Sequence, residues 1–96
     1  MGKTPEGKVK DEIRTYLRKT GWLVLPLVAN KFSVKGSPDH VAFRKGVGIA
    51  IESKAGTKQS EKQIEMQEAF EKNGTLYILA HSAAEVHDAL CRAKII

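Results

Sequence analysis

The stretch "DHVAFRKGVGIAIESKA", residues 39–55, constrains this chain more than any other. Two strand-forming runs meet at "KGVG", whose glycines supply the backbone freedom of a tight hairpin turn. A hairpin here commits the fold to an antiparallel pair of strands. On its second arm, alternation puts Ala50, Glu52 and Lys54 on one face and Ile49, Ile51 and Ser53 on the other. The strand-like run therefore ends in a carboxylate and an ammonium that share a side.

The remaining segments surround this hairpin with no repeat, low-complexity tract or linker. Thr4 reads as an N-cap with Pro5 at the first helical position; Val9, Ile13, Tyr16 and Leu17 recur at helical spacing, and Gly21 ends the helix. "WLVLPLV" is an apolar strand in which Pro26 signals an edge or a bulge, with Trp22 as a core residue. "ANKFSVKGS" is polar and basic, a loop or irregular strand. Ser60 and Gln63 form a capping-box pattern that opens a second helix running to Gly74. "TLYILA" is a buried strand, and Ser82 with Glu85 caps a last helix carrying Val86, Leu90 and Ala93. The predicted order is α-β-β-β-α-β-α, an α/β fold with a mixed central sheet flanked by helices. The 96 residues suffice for a single domain spanning 1–96.

Composition narrows the function classes. Apolar residues at 42% describe a globular chain. No apolar stretch approaches the ~20 residues of a membrane span, and the lysine-rich N-terminus leads into no signal-peptide core. The lone Cys91 forms no internal disulfide and no zinc site, which implies a reducing, cytoplasmic setting; on the last helix it reads as a buried small apolar residue. Sixteen Lys and Arg against eleven Asp and Glu leave +5, a balance that favours a polyanionic partner, nucleic acid before anionic membrane.

The hairpin supplies the chemistry. Asp39 opens its first arm, so pairing through the turn brings Asp39 toward the strand end that holds Glu52. Two carboxylates and the Lys54 ammonium then converge, a donor set suited to Mg²⁺ or Mn²⁺ together with a phosphate. A cation held by Asp39 and Glu52, with the Ser53 backbone carbonyl as a further ligand, suits phosphodiester hydrolysis, with Lys54 orienting water or neutralising charge on phosphorus. The competing reading is an ordinary solvated pair at a strand end, since an E-x-K triplet alone is common. Two further residues bear on the choice. Glu6 extends the stripe of Val9, Ile13 and Leu17, and either caps the first turn or reaches the site. Gln63 lies on a stripe with Met66, Gln67 and Phe70; its capping role and a site role are compatible.

Taken together, Glu6, "GSPD" (36–39), "ESK" (52–54) and "SEKQ" (60–63) resemble the VRR-NUC family, the virus-type replication-repair nucleases of the PD-(D/E)xK superfamily. Matches run from the first helix to the second, and the length resembles that of a compact, stand-alone, phage-type member. The resemblance implies a restriction-endonuclease-like core and a Mg²⁺- or Mn²⁺-dependent endonuclease acting on branched DNA. It further implies a Holliday junction resolvase working as a homodimer, which leaves 5′-phosphate and 3′-hydroxyl ends. It implies catalytic roles for Asp39, Glu52, Lys54, Gln63 and Glu6, the last a metal ligand directly or through water; Glu12 is a competing carboxylate one turn away. A flap or other structure-specific nuclease, a restriction-type enzyme and a non-catalytic DNA-binding module with a vestigial site are the alternatives. No organic cofactor and no membrane partner are expected.

Lys31, Lys35, Arg44, Lys45, Lys58 and Lys62 flank the proposed site in sequence and are candidate phosphate contacts. Phe32 is a candidate wedge at a branch, although core or dimer packing is the simpler role. His40 alternates onto the face opposite Asp39, a structural place. His81 and His87 receive no role.

Overall fold

The computed structural model describes residues 4–27, 35–56 and 58–96. Helix α1 (Pro5–Lys19) begins where the Thr4 hydroxyl accepts the Gly7 N–H, and it stops at Gly21, whose φ of +91° a side chain would resist. Strands β1 (Leu23–Pro26), β2 (His40–Arg44) and β3 (Val47–Ser53) follow, then α2 (Glu61–Lys72), β4 (Leu76–Ala80) and α3 (Ala83–Arg92). This is the order expected from the sequence.

The strands lie side by side as β1-β2-β3-β4; the first three form an antiparallel meander, while β4 returns through α2 to run parallel to β3. The hairpin turn is tighter than "KGVG" suggests. Only Lys45 and Gly46 turn, both at positive φ, the pattern of a type I′ turn whose twist matches the strands. Gly48 belongs to β3, where the Phe43 ring takes the space its side chain would have filled.

One sheet face is fully dressed. Val24, Ala42, Ile49, Ile51, Ile78 and Ala80 meet Ile13 and Leu17 of α1 and Val86 and Leu90 of α3, with Trp22 closing the cluster. On the other face α2 covers only the β4 side, where Phe70 meets the Tyr77 ring, and no residue of α2 is fully buried. The β1–β2 half of that face is bare: Leu23, Leu25 and Phe43 are 60%, 43% and 45% exposed.

Cys91 departs from expectation. Val86 and Leu90 take the buried stripe of α3, so Cys91, one residue further around the helix, faces solvent. There its sulfur lies 3.5 Å from His87 Nε2, while Tyr16 bonds the other ring nitrogen at 2.9 Å. Lys31 and Phe32 lie outside the described residues. Among the described residues no helix is long and apolar enough to cross a membrane.

Candidate metal and phosphate site

The start of β2 and the end of β3 meet at one corner of the sheet, where His40 pairs with Ile51. Asp39 stands just before β2, and its Oδ2 accepts the Ser53 backbone N–H at 2.8 Å. That bond anchors one carboxylate oxygen to β3, while Oδ1 pairs with Lys10 Nζ at 3.2 Å. Glu52, only 3% exposed, reaches the same corner from β3. Its Oε2 accepts from Gln63 Nε2 at 2.8 Å and lies 3.7 Å from Lys54 Nζ, whereas its Oε1 is buried with no partner.

Gln63 explains how α2 serves this corner. The capping box forms: the Ser60 hydroxyl accepts the Gln63 N–H, and Gln63 Oε1 accepts the Ser60 N–H. The amide nitrogen of the same side chain is thereby aimed at Glu52. The loop ahead of Asp39 is seated just as closely. Gly36, at φ +82°, lies against the first turn of α2, and a Cβ there would overlap the Lys62 carbonyl. The glycine of "GSPD" thus lets the Asp39 loop touch the helix that orients Glu52.

Burial and the neighbouring Asp39 charge push the Glu52 carboxyl up to about 7, a rise that Lys54 only partly offsets. Such a group is poised for a cation: it is desolvated, one oxygen is held, and the other is unpaired. Two hard oxygen donors at one corner fit Mg²⁺ or Mn²⁺.

Other candidates divide sharply. Glu6 lies on the site side of α1 and its charge raises Glu52 further. Among the described residues no group of three or more His, Cys, Asp or Glu side chains is gathered for a metal. Glu12 turns away to accept the Ala83 N–H at the start of α3. Lys35 and Lys62 line one open hollow of about 330 Å³ with Glu65, Met66 and Ala69. Lys58 is exposed on the loop between β3 and α2. Arg44 and Lys45 sit at the opposite end of the hairpin, roughly 15 Å along the strand from Asp39, and Arg44 rests over the Trp22 ring. His40 is buried on the α1 face, and that burial lowers its pKa.

Sequence reasoning passed over Lys10, whose Nζ lies 3.2 Å from Asp39 Oδ1. Its signal was present, since it follows Glu6 by four residues and so shares that edge of α1.

A proline-aspartate before one strand, E-x-K at the end of the next and a mixed sheet between helices define the class, a PD-(D/E)xK-type α/β fold. Comparison with known proteins carries this further. Among the solved structures that match is one described as "VRR_NUC domain", 29% identical, covering 94% of this chain and 97% of that one, with a TM-score of 0.77. No protein-family model matches the sequence, and no curated protein does. With near-complete coverage of both chains and the motif geometry in place, the chain has the fold of a VRR-NUC domain.

Proposed function

We propose that this chain is a Mg²⁺- or Mn²⁺-dependent endonuclease that hydrolyses phosphodiesters in branched DNA, acting on four-way junctions as a homodimer. The observation that carries the reading is the pairing of Asp39 and Glu52. Each carboxylate has one oxygen fixed, by the Ser53 N–H and by the Gln63 amide; the other oxygen of Glu52 is buried without a partner, and that of Asp39 meets the Lys10 ammonium. Asp39, Glu52 and the Ser53 carbonyl would hold the metal, with Glu6 near enough to contribute through water. A divalent cation bound there would supply Lewis-acid charge to a phosphoryl oxygen and acidify a water molecule.

The chain's own side chains do the rest. Gln63 keeps Glu52 in a single orientation without adding charge. Lys54, its side chain 17% exposed beside Glu52, would donate to a phosphate oxygen or to the attacking water as negative charge builds on phosphorus. Lys35, Lys58 and Lys62, which flank the site residues in sequence, would serve as backbone contacts. Arg44 and Lys45 would reach DNA only as a separate contact, far from the cut.

Homodimerisation rests on two supports. A four-way junction asks for two symmetric cuts, which two-fold related copies provide. The bare row of Leu23, Leu25 and Phe43 supplies apolar surface beside the site.

The test is a panel of four-way junction, flap and linear duplex, each with and without Mg²⁺ or Mn²⁺. Metal-dependent, paired nicking of the junction is expected. Asp39→Ala and Glu52→Ala should each lower cleavage by about a thousandfold or more while the fold and junction binding persist. Binding without cutting by the wild-type protein would instead make it a DNA-binding module. Undiminished cutting by both variants would refute the site.

A further inference from the structure

The corner holds two ammonium groups, and the E-x-K lysine accounts for only one. Lys10 projects from α1 one turn beyond Glu6 and one turn before the buried Ile13. Its Nζ lies 3.2 Å from the one Asp39 oxygen that the backbone does not hold. Lys54 is paired with Glu52 and is largely enclosed; the Lys10 side chain is 37% exposed, open to solvent on its outer side. Two carboxylates thus face two ammonium groups at this corner.

A cation that binds Asp39 Oδ1 competes with Lys10 for the negative charge of the same oxygen. The displaced ammonium then sits beside a dication, and like charges repel it outward along a flexible stem. A phosphate is the group that both charges attract. On the nuclease reading above, we propose that Lys10 is an exchange residue of the site: it holds Asp39 while the metal is absent, and it contacts a backbone phosphate beside the scissile one once metal is bound. Lys10 thereby couples metal loading to substrate binding, since release from Asp39 makes it available to DNA.

The two halves of this role predict opposite changes in one variant. Lys10→Met keeps the aliphatic stem and removes the charge. Calorimetric titration with Mn²⁺ in the absence of DNA should show about tenfold tighter binding in this variant, because the competitor is gone. Binding of a four-way junction in Ca²⁺ should weaken about threefold to tenfold, with the slope of log K against log salt smaller by about one. Lys10→Arg, which keeps the charge, should restore the salt slope. Thermal melts check that each variant is folded. Unchanged Mn²⁺ affinity, or unchanged junction affinity and salt slope, overturns the proposal. Cleavage reports separately on the nuclease reading: if wild type and variants alike leave DNA uncut in Mn²⁺, that reading fails, whereas the titrations still read the exchange at Lys10.

Discussion

At the scale of single residues, Glu52 is where environment matters most. Its carboxyl is buried beside Asp39 and is raised to about 7. Between about pH 4.5 and 7 the folded, metal-free chain keeps a proton that the unfolded chain has released, so stability falls as pH rises through that window and levels off above it. Glu52→Gln removes this slope and should stabilise the metal-free protein at pH 8 by about 1–3 kcal/mol. Urea melts at pH 5 and pH 8 would read the effect; equal pH slopes in wild type and variant would mean that Glu52 ionises freely. The type and placement of the charged residues at this corner were legible from alternation and turn chemistry. Lys10 was only half legible: its spacing from Glu6 marks the shared helix edge, but a lysine there looks the same in sequence whether it meets water or a carboxylate. Gly36 was legible as part of a motif, but its reason was not: only the fold brings it against the Lys62 carbonyl.

At the scale of elements, local signals gave the order well because each helix carries its own cap: Thr4, Ser60 and Ser82 all accept a first-turn N–H. What local signals missed was depth. The stripe on α2 reads as inward-facing, yet Gln63, Met66, Gln67 and Phe70 stay half-buried. Likewise Cys91, apolar by type, lies one position outside the buried arc of α3. A tie between elements also had no sequence signature. His81 bonds Glu85 at 3.0 Å through Nδ1 and the Gly56 carbonyl at 2.8 Å through Nε2, fastening the loop after β3 to α3. Both ring nitrogens meet acceptors, which only the protonated ring satisfies, and the Glu85 carboxylate and then the Gly56 carbonyl raise its pKa accordingly. The tie is present below about pH 6.5 and is lost as pH rises through the raised value. His81→Ala should therefore speed proteolysis near Gly56 at pH 6 and have little effect at pH 9. Equal cleavage rates at pH 6 would dispose of the tie.

For the whole molecule, the two sheet faces divide the labour: α1 and α3 build the core on one, and the other holds the site and the bare apolar row. If that row joins two copies, Leu25→Glu combined with Phe43→Glu should yield a folded monomer by sedimentation and lower junction cleavage about tenfold or more. A variant that stays dimeric would place the interface elsewhere. The uneven burial of the helices has a further consequence. Amide protons of α2, which buries no residue fully, should exchange with solvent sooner than those of α1 and α3. Because Gln63 rides on that helix, opening of α2 alone would free Glu52 while the sheet remains intact. On heating, cleavage should therefore fade several degrees below the main melting transition, with the core still folded, and recover at once on cooling. Loss of activity only at the main transition would show that α2 opens with the rest. On the nuclease reading, the working temperature would then be set by the most lightly anchored helix, and a stronger core would not extend it.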